Sequence, residues 1–161
     1  MGHRLKSAGI LLYRKGSAGP QFLLAHPGGP FFRNKDAGVW TIPKGEPSEG
    51  EGLFDAAVRE FEEETGHKPA GDFIALQPIV QKAGKEVHAW AVEGDFDPDH
   101  LRCNTFEMEW PPRSGKMEAF EEVDKVAWFG YAEACEKINE KQRGLLTELL
   151  AVLQNQGANK T

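Results

Sequence analysis

The order of elements along the chain predicts an α/β fold, an α/β/α sandwich with a mixed β-sheet between its helices. Three observations carry that prediction. Short apolar runs bounded by turn residues recur on both sides of one central segment. That segment, Gly52 to Thr65, carries an apolar stripe at helical spacing, and leucines at 145, 146, 149, 150 and 153 mark a closing helix.

Ser7 to Tyr13 and Gln21 to Ala25, separated by the turn-forming Gly16 to Pro20, read as two antiparallel strands. His26 to Gly38 carries prolines, glycines and polar residues in succession and reads as a loop. Trp40 to Pro43 is expected as a short strand ending at Pro43, which has no N–H for a ladder. A loop from Glu46 to Gly50 follows, with Gly45, Gly50 and Gly52 able to take positive φ. The helix should stop at Gly66, a C-terminal capping residue, with Pro69 beyond it. On that helix Phe54, Ala57, Val58 and Phe61 form the core stripe, and Asp55 and Glu62 face away. Phe73 to Lys82 and Val87 to Val92 are expected as strands of a hairpin turning at Ala83 and Gly84. Phe106 to Trp110 is ambiguous before Pro111 and Pro112; Val123 to Phe129 is a strand; Tyr131 to Ile138 and Arg143 to Gln154 are helical. Residues 5–153 make one domain, and 154–161 a flexible tail.

A chain of 161 residues can bury a full core without staples. Its net charge of −6 argues against an extended nucleic-acid surface, which needs a basic stripe. Cys103 and Cys135 lack metal-ligand spacing, so two reduced thiols are expected. No apolar stretch is long enough for a membrane span and no signal-peptide hydrophobic region opens the chain, so a cytoplasmic location is the expectation. The leucine-rich C-terminal helix is assigned to the core rather than to a dimer surface, leaving monomer and homodimer both open.

The chemistry lies on the central helix. Glu60, Glu63 and Glu64 occupy i, i+3 and i+4 and fall within roughly 100° of one face, where like charges repel. Arg59 can pair with only part of that charge. A hard divalent cation, which takes oxygen ligands and shares them with phosphates, explains such a face better than helix stability does.

The spacing from Gly45 through Glu51, Arg59, Glu60, Phe61, Glu63 and Glu64 to Gly66 resembles the signature of the Nudix hydrolases, the MutT-like pyrophosphohydrolases, at every fixed position. His67 stands where that family usually has an aliphatic residue. Trp40 to Lys44 before the box and Glu121 to Phe129 near the end are also similar to family features. The resemblance implies a Nudix fold and hydrolysis of a phosphoanhydride bond in a nucleoside polyphosphate, a nucleoside triphosphate or dinucleoside polyphosphate. It implies Mg²⁺ or Mn²⁺ as cofactor, which would lessen charge repulsion and lower the pKa of bound water.

By their motif positions Glu60 and Glu64 are the expected metal ligands, joined by Glu63, the Lys44 carbonyl and Glu122. One glutamate can also act as base. Glu51 either orients water, binds a second ion or braces the loop by pairing with Arg59, and Arg59 is expected as a buttress. His26, Phe32 and Lys35, with Phe31 and Arg33, are candidates for stacking a base or touching phosphates; Arg113, Ser114 and Lys116 form a second cationic loop. His67 and His100 are expected at the surface, and His88 facing the cleft or solvent. The alternatives are a noncatalytic nucleotide-sensing module, an inositol pyrophosphate hydrolase and an RNA-end hydrolase. The first class usually lacks the box carboxylates, and the last two are disfavoured by the acidic balance.

Overall fold

A computed structural model describes residues 5–81 and 84–158. Its nine strands are β1 (Lys6–Gly16), β2 (Gly19–Pro27), β3 (Lys44–Gly45), β4 (Ile74–Ala75), β5 (Ile79–Val80), β6 (Glu86–Glu93), β7 (Thr105–Glu109), β8 (Met117–Glu121) and β9 (Val123–Gly130). The helices are α1 (Leu53–Thr65), α2 (Tyr131–Lys137) and α3 (Arg143–Ala158). Seven strands form one mixed sheet, β4-β6-β1-β2-β9, with β3 on β1 and β5 on β6. The β1–β6 pair is parallel, while β2 runs antiparallel to both β1 and β9.

Burial on both faces explains the continuous apolar run in β1. Ala8, Ile10 and Leu12 pack with Ala56, Ala57 and Phe61 of α1, whereas Leu11 and Tyr13 join Phe22, Leu145, Leu146 and Leu149 on the other side. The α/β/α sandwich follows from that alternation. Among the described residues no helix is long and apolar enough to cross a membrane.

Several local expectations change. Trp40 to Pro43 is not a regular strand: its backbone bonds go to Ala25, Lys137 and Ile10, and Gln142 Oε1 accepts from Ile42 N. The ladder resumes at Lys44 and Gly45, past Pro43, against Ala8 and Gly9. Gly9 is required there, because a Cβ would come within 2.6 Å of the Pro43 carbonyl oxygen. Of the three box glycines, only Gly50 takes positive φ, 77°; Gly52 is the extended residue before α1. Phe54 is 36 % exposed, though its ring edge meets Phe73 and Trp90 at 4.9 and 5.4 Å, and Ala56 takes the buried place in the core stripe.

The strand expected over Phe73 to Lys82 is broken at Gln77 and Pro78 into β4 and β5. The β5–β6 pairing is that of a hairpin, although Lys82 and Ala83 lie outside the described residues. The ambiguous stretch before Trp110 is β7, and its partner β8 completes a two-stranded arm that the sequence reading missed. Finally, α3 continues to Ala158, beyond the expected end at Gln154.

Candidate active site

The box loop and α1 are locked together by one guanidinium. Arg59 Nη2 and Nε donate to the two Glu51 carboxylate oxygens at 2.8 and 2.9 Å, Nη1 donates to Glu60 and Glu63 at 3.1 Å, and Nη2 also reaches the Glu46 carbonyl. Glu51 further accepts from Ser48 N, and these bonds hold its carboxyl down at about 2. The Arg59 side chain, 32 % exposed, is held above its ordinary pKa by Glu51 first and Glu63 after it. Bracing is therefore the role the geometry gives to both residues.

Glu60 and Glu64 occupy different surroundings. Gly45 lies directly under Glu60, and a Cβ there would fall inside its carboxylate. Burial, and then repulsion from Glu63 and Glu122, raises the Glu60 carboxyl, which Arg59 offsets in part. Glu64 is 7 % exposed, and its Oε2 has no hydrogen-bond partner. Burial first, then Glu60 and Glu122, push its carboxyl up to about 9, against the pull of Lys44. A buried acidic oxygen without a partner is costly unless something positive meets it.

Glu122 comes from the turn between β8 and β9. Its amide donates to the Asn104 carbonyl, and the Asn104 amide donates to that of Glu63, so residues 102–104 tie this turn to the end of α1. Partial burial and the nearby Glu63 raise the exposed Glu122 carboxyl. Among the described residues no three Asp, Glu, His or Cys side chains converge as a ready metal cage. Arg59 accounts for this, since it draws Glu63 and one oxygen of Glu60 toward itself. The fit of a cation rests instead on the unpartnered Glu64 oxygen, the Glu60 carboxylate over Gly45, and the backbone of Lys44 beside them.

Lys44 contributes more than its carbonyl. Its ammonium is largely buried, and desolvation together with repulsion from Lys85 lowers its pKa, while Glu64, Glu46 and Glu60 oppose that shift. Lys85, 3.6 Å from Glu46, was not singled out in the sequence. Only its position just before β6, which pairs with β1 beside the box, could have signalled it.

The expected substrate residues divide. His26 is fully buried: Nε2 lies 2.6 Å from the Lys35 carbonyl and Nδ1 2.8 Å from Asp124 Oδ1, with the ring edge-on to Trp40. It does not reach a ligand, and that expectation is corrected. Phe32 is half-buried beneath Lys35 Nζ at 5.6 Å. Exposed Phe31 packs edge-to-face on Trp110 at 5.5 Å, so the 28–38 loop and the β7–β8 arm that carries Arg113 meet. Arg113 sits at the tip of that arm with φ 63°, its amide donating to Glu109. Of the remaining histidines, His100 is exposed, and His88 is half-buried against Glu86 at 2.9 Å. His67 is half-buried, with its ring against Phe61 and Phe96.

Two grooves of about 440 and 450 Å³ share Tyr13, Glu93 and Gln156 at the opposite end of β1 from Gly9 and Gly45. Neither is lined by the α1 carboxylates.

Comparison with known proteins bears on the family and the fold. A profile of the NUDIX domain matches residues 3–149. An Ap4A hydrolase from C. elegans, solved as a binary complex, is 24 % identical, with 94 % of this chain and 98 % of that one covered at a TM-score of 0.66. A mutT/nudix family protein from Listeria innocua superposes over 99 % of this chain and 100 % of its own with a TM-score of 0.67 at 16 % identity. The NUDIX domain of Shewanella oneidensis NrtR, complexed with ADP ribose, is 15 % identical over 92 % of this chain and 86 % of that one, TM-score 0.62.

Proposed function

This chain belongs to the Nudix family and is a hydrolase of phosphorus-containing anhydrides; we propose that it is a Mg²⁺- or Mn²⁺-dependent hydrolase of a nucleoside polyphosphate, either a nucleoside triphosphate or a dinucleoside polyphosphate. The observation that carries this reading is the buried, unpartnered Oε2 of Glu64 beside the Glu60 carboxylate over Gly45. Family members generally use a divalent metal, and here Glu60, Glu64 and the Lys44 carbonyl would hold it, with Glu63 and Glu122 completing the set. Such an ion, when bound, offsets phosphate charge and makes water a stronger acid.

The protein's own groups supply the rest. Arg59 keeps the box loop fixed on α1, so the carboxylates meet substrate in one geometry. The Lys44 and Lys85 ammonium groups supply positive charge beside the acid face for the polyphosphate. Glu122, outside the helix and with its carboxyl raised, would take a proton from attacking water wherever it does not itself complete the cation's set. Phe31 and Phe32 offer aromatic surface to a base, and Lys35 and Arg113 offer charge to outer phosphates.

The test is a side-by-side panel of nucleoside triphosphates, dinucleoside polyphosphates, ADP-ribose, inositol pyrophosphates and 5′-triphosphate RNA, in labelled water. The expected result is release of a nucleoside phosphate from one of the first two classes, with label on phosphorus and no turnover in excess chelator. Preference for inositol compounds would overturn the substrate class, and full activity with chelator would overturn the metal.

A further inference from the structure

We propose that His26 is a positioning residue that holds the 29–38 loop in register with the turn carrying Glu122, coupling nucleotide binding to the acid centre. This deepens, and rests on, the substrate reading above. His26 ends the regular part of β2, where the ladder with β9 slips between His26 and Pro27. Its ring sits at the junction of three segments. Nε2 engages the Lys35 carbonyl in the loop, Nδ1 engages Asp124 two residues beyond Glu122, and the ring edge meets Trp40 just before the box at 5.2 Å. Both polar neighbours are oxygens, each within hydrogen-bond distance of one ring nitrogen.

The surrounding backbone is arranged for the same connection. Gly28 N donates to the Glu122 carbonyl at 2.9 Å, and a Cβ at Gly28 would collide with the Glu121 carbonyl. The loop is anchored again where Trp40 Nε1 donates to Asp36, itself paired with Lys137. Between these two anchors lie Phe31, Phe32, Arg33 and Lys35, most of them exposed. Among the described residues the imidazole is the polar link between the middle of this loop and Asp124, while loop and turn also touch at Gly28. A core histidine with both nitrogens committed across two loops, one carrying candidate binding residues and the other a candidate base, sets their separation. Packing alone would be served by any apolar ring.

His26→Phe keeps the ring against Trp40 and removes both hydrogen bonds. Asp124→Ala removes one bond from a partly exposed position that should not impair folding, and Asp124→Asn restores an acceptor oxygen without the charge. Amide hydrogen exchange should quicken about tenfold over residues 29–38 in His26→Phe, less in Asp124→Ala, and stay near wild type in Asp124→Asn and across α1. His26→Phe and, less strongly, Asp124→Ala should raise KM for a nucleoside triphosphate, by about fivefold or more in His26→Phe, with kcat within about twofold, and leave tripolyphosphate hydrolysis unchanged, while Asp124→Asn stays near wild type. Unchanged exchange in both His26→Phe and Asp124→Ala would overturn the tether. Faster exchange with unchanged KM, or an equal loss on tripolyphosphate, would overturn its link to nucleotide binding. Failure of the wild-type protein to cleave any nucleoside polyphosphate would instead sink the substrate reading, and the exchange result would still decide the tether.

Discussion

Two carboxylate neighbourhoods share helix α1, and they are opposite in character. At the Glu51–Arg59–Glu63 corner every charge has a partner, Glu51 lies below its ordinary pKa, and the guanidinium makes at least five bonds. At Glu60 and Glu64, one turn apart on that helix, burial outweighs the available partners, both carboxyls are raised, and one oxygen has no partner. The first arrangement is complete among the protein's own groups; the second is one that a cation would complete. Like residue types in one motif thus separate into a brace, where Arg59 outweighs burial, and a receptor, where burial outweighs the single Arg59 contact to Glu60 and Glu64 has none from it.

The sharpest test of that division is neutralisation on the receptor side. Glu64→Gln and Glu60→Gln should each lower kcat by on the order of 10² or more at saturating Mg²⁺. Their metal-free thermal midpoints should hold or rise, because each change replaces a carboxyl whose ionised form the folded surroundings disfavour. Wild-type rates in both variants would assign the chemistry elsewhere.

Gly45→Ala probes the same side without altering any charge. The added methyl occupies the space of the Glu60 carboxylate, which sits at the end of a flexible side chain. Displacement of that carboxylate should lower kcat by roughly tenfold or more, with a stability change of about 1 kcal/mol at most. A normal rate would mean that Glu60 works from another rotamer. Arg59→Ala should break the comparison from the brace side. It should lower stability by about 1–2 kcal/mol in denaturant titrations and also reduce rate, since Glu51, Glu60 and Glu63 lose their shared cation. A rate effect without a stability effect would make Arg59 a substrate residue.

Much of this was legible in the sequence because the box carries its own geometry. Helical spacing placed Glu60, Glu63 and Glu64 on one face, and the two-sided apolar pattern of β1 and β2 implied a covered sheet. Periodicity did not reveal what arises from long-range contact. The repulsion that Glu64 feels from Glu122 comes from far along the chain, and Lys85 approaches Lys44 through the pairing of β3 and β6 on β1. His26 looked like a loop histidine because it borders Pro27, yet strand β2 carries it one residue further into the core. Phe106 to Glu109 was ambiguous because its partner β8 is acidic and mostly exposed, so neither strand shows a clean core face.

The least forceful test, but the one that reads both neighbourhoods at once, is the pH dependence of unfolding in the metal-free protein. Glu51 has a folded pKa of about 2 against an ordinary 4.5, so its stabilisation is present above 4.5 and is lost as pH falls through about 2. Glu64 has the opposite sign. Native protein retains its proton up to about 9 while unfolded chain releases it near 4.5, so stability is fullest below 4.5 and declines as pH rises toward 9. The decline should be on the order of 1 kcal/mol per pH unit or less, since water entry softens the burial cost. The thermal midpoint should therefore peak in mildly acidic solution, with an acid limb set partly by Glu51 and an alkaline limb set partly by Glu64. Glu51→Gln should flatten the first limb alone, and Glu64→Gln the second alone. Added Mg²⁺ should lift the alkaline limb most, because a cation binds the ionised carboxylate and its apparent affinity rises with pH. An alkaline limb that persists unchanged in Glu64→Gln would show that the buried carboxylate is already satisfied in the apo protein, and the contrast between brace and receptor would fail.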